Sequence, residues 1–358
     1  MAGAPLALTD VFDPQLLRLV ESTIEKWLPR RLDEKSYEEL SPSQHYQADL
    51  AGINKAIFEP IWDLFDRGGK RWRAIFMILI AEALGHKAED IMDFVVLPEI
   101  FHNGSLIIDD IEDDSGVRRG KPCIHLITGL DIAINAGNAL YFLPLRILKS
   151  KRGIVPDHIL LRCYEIYSQE MTNAHFGQGL DILWHSKHAG MERREPTVEN
   201  YLYMSANKTG AVVKMCAKLS EEQMEALSQF VEAIGIAFQI QDDILNVTES
   251  NQLSINKGGV GEDIHEGKRT LMVIHCLQNA EEEKRKRLRE ILDMKTNDEG
   301  LIREAIDLLH STQSTQFARE KALELVRTAW INVDGSLPDS AAKKKLKALS
   351  TYMIERQA

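Results

Sequence analysis

The chain has 358 residues, with 43 Lys and Arg against 54 Asp and Glu, giving a formal net charge of −11. Hydrophobic residues at 44% and charged residues at 27% describe a folded globular chain and exclude a disordered or collagen-like one. The acidic balance argues against nucleic acid as the main partner, but a small anionic substrate needs only a local cluster of Lys and Arg.

With 11 prolines and 22 glycines, breakers are sparse, which favours long helices. Asp13-Pro14 signals the first helix, and Leu16, Leu17, Val20, Ile24, Trp27 and Leu28 then recur at helical spacing. Residues 30–48 are polar and carry Ser41-Pro42-Ser43, so they read as a loop or loosely attached segment. Residues 1–50 are therefore expected to form an N-terminal extension, and 51–358 the main domain. From Ile53 onward apolar residues return every three or four positions. Breaks fall at Arg67–Gly69, Gly85, Ser115–Pro122, Ser150–Pro156, Ser186–Pro196, Ser250–Gly267, Asn297–Gly300 and Asp334–Pro338. Ser220 with Gln223 reads as a capping-box start. With no strand alternation, hairpin signal or fixed-period repeat, the expected fold class is all-α.

Cys123, Cys163, Cys216 and Cys276 form no CxxC pair, which predicts neither a disulfide framework nor a zinc site and favours a reducing compartment. The longest apolar run, Ala74–Ala81, has eight residues, against the ~20 of a membrane span. Asp10, Asp13 and Glu21 do not fit a signal or transit peptide. A cytoplasmic protein without a transmembrane segment is expected.

The densest chemical signal is Asp109-Asp110-Ile111-Glu112-Asp113-Asp114. On a helix Asp109 and Asp113 share a face, where their repulsion is a cost unless a cation joins them. Hard oxygen ligands suit Mg²⁺ shared with substrate phosphates. A lone DDxxD motif is more often a solvated helix end, but Phe238-Gln239-Ile240-Gln241-Asp242-Asp243, with Asn246 following, supplies a second pair. Facing carboxylate pairs are a common way for helical bundles to build metal sites, and Gln178 and Asp181 could add further oxygens.

Basic residues accompany these clusters. Gly68-Gly69-Lys70-Arg71-Trp72-Arg73 reads as the start of a helix with Lys70 and Arg73 on one face, where the helix N-terminus favours anions. Arg118, Arg119 and Lys121 sit in a Gly-flanked loop, and His102 lies nearly two turns before Asp109. Lys208-Thr209-Gly210 interrupts an apolar helix, and Lys257 and Lys268 flank the loop after the second acidic cluster. Singly each reads as a surface charge or a satisfied core histidine. Jointly they describe a site for one or two diphosphates carried with Mg²⁺.

His102–Asp113 with Arg118–Pro122, Ile134–Asn138, Gly177–Asp181 and Phe238–Asn246 resemble the trans-isoprenyl diphosphate synthase, or polyprenyl synthetase, family, most closely its eukaryotic-type geranylgeranyl branch. The resemblance runs from about residue 53 to 280. It implies a single large bundle of long helices around a central cavity, and a homodimer. It also implies that Asp109, Asp110, Asp113, Asp181, Asp242 and Asp243 hold about three Mg²⁺ on an allylic diphosphate. Arg118, Lys208 and Lys257 would contact that diphosphate, with Lys268 flanking the same loop, and Lys70, Arg73, His102 and Arg119 would bind isopentenyl diphosphate. Thr209 and Gln239 would orient oxygens toward an allylic cation. Asn246 stands where many relatives have aspartate, a variation shared with the geranylgeranyl branch.

The product should grow along the helix carrying Asp109. Gly104 and Ser105 are expected to leave it space, with Phe101, about 12 Å deeper by helical rise, as the floor. A C20 product follows, with C15 as the alternative. A non-catalytic subunit of a heteromeric synthase is a rival reading, although no carboxylate or phosphate-binding residue is missing. A terpene cyclase is another, although it has no use for Lys70, Arg73 and His102.

Overall fold

The computed structural model describes residues 11–41, 45–186, 195–217, 224–248 and 260–355. The capping signal at Ser220 and Gln223 and the site residue Lys257 lie outside them. The architecture is all-α, as expected. Among the described residues the one exception is a two-stranded hairpin, Val117–Arg118 against Lys121–Pro122. The described residues divide into two compact units, one from 1–167 with 338–346 and one from 168–337 with 347–358.

In the first unit the Pro14–Trp27 helix starts where its sequence predicts. The Asp13 carboxylate accepts the Gln15 N–H at 2.7 Å, and proline occupies the first turn. Val20 and Ile24 are buried, and the helix packs on Ala88–Glu112. Part of the polar stretch departs from the expected loop. Glu34–Leu40 is helical behind an Asp33/Ser36 capping box. Leu32 is buried and bonded both ways to Asn54: its N–H donates to Asn54 Oδ1 at 2.7 Å, and Asn54 Nδ2 donates to its carbonyl at 2.9 Å. The polar composition hid these local caps. Residues 14–40 lie within the first unit.

Ala88–Glu112 is the core of this unit, packed against Trp72–Ala83 and Leu130–Phe142. It is long and apolar enough to cross a membrane, but it is mostly buried within the unit, as a core helix must be. Its crossing with Leu130–Phe142 is made by two glycines. A Cβ on Gly104 would stand 2.7 Å from Leu140 Cβ and 2.8 Å from the Gly137 carbonyl oxygen. One on Gly137 would stand 2.8 Å from Ile108 Cδ1. The missing side chain at Gly104 therefore lets two helices approach.

In the second unit Met224–Asn246 packs against Ser314–Asp334, Gly210–Ala217 and Val198–Lys208. Phe230 meets Trp330 edge to face at 5.3 Å. The expected interruption at Lys208-Thr209-Gly210 is the junction between Val198–Lys208 and Gly210–Ala217. There a Cβ on Gly235 would stand 2.6 Å from Gly210 Cα.

The N-terminal helix is anchored at Asp93, which accepts from Lys26 Nζ and Trp27 Nε1 at 2.7 Å each and from Lys151 Nζ at 2.5 Å. Burial alone would raise this carboxyl, but hydrogen bonds from Lys151, Lys26 and Trp27 outweigh it and bring it down to about 2. A depressed carboxyl contributes stability above its unfolded value and loses it as pH falls through the folded one. Asp93→Asn is therefore expected to destabilise the protein at neutral pH. In denaturant titrations its deficit against wild type should shrink from about pH 4 toward pH 2.

Candidate active site

Lys70 precedes the helix it was expected to open. Gly68, Gly69 and Arg71 take φ of 87°, 151° and 47°, so the turn is left-handed at three positions and the helix starts at Trp72. Arg73 follows in its first turn, buried and with its guanidinium 4.5 Å from the centre of the Trp72 ring. Glu99, buried on the Ala88–Glu112 helix, accepts the Ala74 N–H at 3.2 Å and so receives one of the unpaired donors of that first turn.

Arg118 and Arg119 lie on the hairpin, whose turn is Arg119-Gly120 with φ of 53° and 74°. Positive φ at both central residues matches a primed hairpin turn. The two arginines diverge. Arg118 Nε donates to Asp110 Oδ1 at 2.6 Å, and its Nη2 lies 3.6 Å from Asp109 Oδ2. Arg119 Nη1 donates to the Leu64 carbonyl at 3.0 Å. Arg67, which the sequence marks only as a helix break, holds the hairpin by donating from Nη1 to the Arg118 carbonyl at 3.0 Å.

Charge crowding shows in the titration of these groups. Burial, then Arg71 and Arg118, push Arg119 down to about 10. Burial, followed by Arg73, Arg119, Arg118 and Arg71, holds His102 well below its ordinary value, so it is neutral at pH 7. Burial also works against Arg118, yet the Asp110 carboxylate outweighs it and raises this guanidinium. Asp110 is itself raised, mainly by burial. Asp109 and Asp113 lie four apart at the end of the Ala88–Glu112 helix, with Asp113 as its C-cap.

Phe101, the expected floor, is buried with its ring 5.4 Å from Tyr141 and 6.3 Å from Tyr167. Tyr167 Oη donates to the Tyr141 carbonyl at 2.6 Å, which fixes this aromatic group. Ser105 Oγ donates to the His102 carbonyl at 2.9 Å.

In the second unit Lys208 Nζ donates to Asp181 Oδ2 at 2.6 Å. Burial would raise Asp181, but Lys208, Lys268 and His185 bring it below its ordinary value. A Cβ on Gly177 would collide with the Lys208 backbone, so this glycine permits the approach. Thr209 Oγ1 donates to Gln239 Oε1 at 2.9 Å. Gln239 Nε2 donates to Asp243 Oδ1 at 2.9 Å, and Tyr201 Oη donates to Asp243 Oδ2 at 2.7 Å. Burial, and then the Asp263 charge, push Asp243 up to about 8 despite these donors. Lys268 is paired with Glu266 and lies 3.8 Å from Asp263. Asn246 has a structural part, since its Oδ1 accepts the Asp263 N–H at 3.1 Å and its carbonyl accepts the Gly261 N–H at 2.8 Å. An aspartate there could accept the first bond equally, so the asparagine avoids a further negative charge beside Asp263.

Residues 54–309 match the polyprenyl synthetase family profile. The chain belongs to the polyprenyl synthetase family. A short chain isoprenyl diphosphate synthase of Methanothermobacter thermautotrophicus is 33% identical over 310 residues, covering 82% of this chain and 88% of its own. A geranylgeranyl pyrophosphate synthase of Macrophomina phaseolina is 35% identical over 264 residues, covering 73% and 76%. The crystal structure of geranylgeranyl pyrophosphate synthetase from Pyrococcus horikoshii superposes with a TM-score of 0.81 at 29% identity, covering 98% of this chain and 99% of that one. The all-α expectation is thus the fold of this family.

Tyr201 escaped the sequence reading because a tyrosine in an apolar helix carries no local signal. Removing its hydroxyl strands one oxygen of the buried Asp243, so Tyr201→Phe in this synthetase should lose about 1–3 kcal/mol in urea denaturation. Because that hydroxyl lowers Asp243, the variant's carboxyl should also titrate higher, and its activity should recover only at a more alkaline pH than wild type.

Proposed function

We propose that this polyprenyl synthetase condenses isopentenyl diphosphate head to tail with an allylic diphosphate to give mainly geranylgeranyl diphosphate, C20. The observation that carries the reading is the divergence of the adjacent Arg118 and Arg119. One sits with Asp109 and Asp110, the other with the cluster of Arg71, Arg73 and His102. Two neighbouring residues are thereby available to two diphosphates.

The carboxylates suit Mg²⁺. Among the described residues no three His, Cys, Asp or Glu groups converge as a dedicated cage. Mg²⁺ needs none, since it is commonly held by one or two carboxylates with water and substrate phosphates completing its shell. Asp109 and Asp113 would hold it from the first acidic motif, with Asp110 keeping Arg118 in place. Asp242 and Asp181 would hold it from the second unit, with Asp243 supported by Gln239 and Tyr201. When bound, Mg²⁺ neutralises the allylic diphosphate and favours its departure as a leaving group.

Lys70, Arg73 and Arg119 bind the isopentenyl diphosphate, and neutral His102 donates a hydrogen bond without adding charge. Arg118 and Lys208, with Lys257, bind the allylic diphosphate, stabilising charge that develops on it as the C–O bond ionises. Thr209 gives its proton to Gln239, so its oxygen presents lone pairs to a developing allylic cation. The isopentenyl double bond attacks that cation, and loss of a proton leaves a chain five carbons longer.

Phe101 with Tyr141 and Tyr167 forms the floor that limits the chain. Exposed Leu126, Ile127, Leu130 and Phe142 on neighbouring helices of the first unit support a homodimer. Four free, buried cysteines fit a reducing, cytoplasmic setting.

Purified protein incubated with Mg²⁺, labelled isopentenyl diphosphate and dimethylallyl, geranyl or farnesyl diphosphate is expected to yield a dominant C20 alcohol after dephosphorylation. Asp109→Ala should lower turnover by at least about a hundredfold. Absence of elongation with every primer would sink the reading in favour of a regulatory subunit or a cyclase. In the same assay Phe101→Ala should shift products beyond C20, and an unchanged chain-length profile would rule out the floor.

A further inference from the structure

The Pro14–Trp27 helix lies before the family match, which begins at residue 54, yet it reaches the cationic cluster. Arg71, at the start of the Trp72–Ala83 helix, has φ 47° and ψ 32°, a conformation unfavourable for a residue with a Cβ. Its side chain is 3% exposed. Nε donates to Glu21 Oε1 at 2.7 Å, and Nη2 donates to the Phe65 carbonyl at 3.3 Å. A Cβ on Gly69 would stand 3.2 Å from Arg71 Nη1 and 3.5 Å from Arg119 Nη2, so both guanidiniums border the same glycine. Lys70 and Arg73 are one and two residues away in the chain. All three share one short stretch of backbone in which Arg71 takes the left-handed conformation.

We propose that Glu21 is a positioning residue for isopentenyl diphosphate. It balances the charge of Arg71 and pins its guanidinium, which holds the strained turn and keeps Lys70, Arg73 and Arg119 poised for the diphosphate. The proposal rests on reading Lys70, Arg73, His102 and Arg119 as the isopentenyl site. Glu21 acts through Arg71 because its own negative charge would repel a diphosphate. It rides on a fixed support: Lys26 and Trp27 of the same helix are bound to Asp93, and Arg146 Nη1 donates to the Trp27 carbonyl at 3.2 Å. A segment outside the family match thus becomes a working part of substrate binding.

The test is steady-state kinetics on the full chain for wild type, Glu21→Gln, Lys70→Ala and Lys26→Met, varying isopentenyl diphosphate and the allylic primer separately. Glu21→Gln is expected to raise the KM for isopentenyl diphosphate about tenfold while the primer KM stays within about twofold. Lys26→Met, which removes one donor to Asp93 while Trp27 and Lys151 still hold the helix, should leave both KM values unchanged. In an Arg71→Met background Glu21→Gln should add nothing, because the pair acts as one unit. Equal rises in both KM values, or the same change in Lys26→Met, would make Glu21 a structural contact and overturn the proposal. An unchanged isopentenyl KM in Glu21→Gln, with a raised one in Lys70→Ala, would overturn the positioning role and leave the site reading standing. An unchanged isopentenyl KM in Lys70→Ala would overturn the site reading, and the proposal with it. If Glu21→Gln fails to fold, Glu21→Asp, which keeps the charge but withdraws it by one methylene, is read by the same split of KM values.

Discussion

Holding like charges together without a substrate present is the constraint on which the first unit depends. Arg71, Arg73, Arg118 and Arg119 are close enough to depress His102, and Arg71 and Arg118 depress Arg119. Repulsion of this kind in a half-buried place disperses flexible side chains unless each has an anchor. Each arginine has a different one: Glu21 for Arg71, the Trp72 ring for Arg73, Asp110 for Arg118 and the Leu64 carbonyl for Arg119. The backbone contributes too, through left-handed turns at Gly68–Arg71 and Arg119–Gly120.

The second unit has the same problem with the opposite sign. Asp181 and Asp243 are buried carboxylates, and the two are treated differently. Lys208 faces Asp181 and keeps it ionised, whereas Asp243, which accepts from the neutral donors Tyr201 and Gln239, is raised by burial and then by the Asp263 charge. Asn246 completes the logic, because it accepts the Asp263 and Gly261 N–H groups without adding charge.

Close helix approach is the third recurring device. Gly104 against Gly137, Gly210 against Gly235 and Gly177 against Lys208 bring backbones together where any Cβ would intrude. Gly177 admits Lys208 within the second unit, and Gly104 lies between His102 and Asp109 along one helix of the first. Among the described residues these polar groups stand mostly on helices, with Lys70, Arg118 and Arg119 on the turn before Trp72 and the hairpin.

The sequence alone determined the all-α class, most helix boundaries and the two acidic motifs, since these depend on 3.6-residue periodicity and on residues close together in the chain. It also determined the family, because His102–Asp113 and Phe238–Asn246 are local motifs. Tertiary structure alone decided which charges are paired. The link from Glu21 to Arg71 spans fifty positions and that from Tyr201 to Asp243 forty-two, and no local pattern marks either one. It also decided that Gly104 is a point of close helix approach, because an absent side chain becomes a contact only once a second helix occupies the gap. Local hydrogen bonding and periodicity are written along the chain, whereas charge pairing and close packing depend on distances that exist only after it folds.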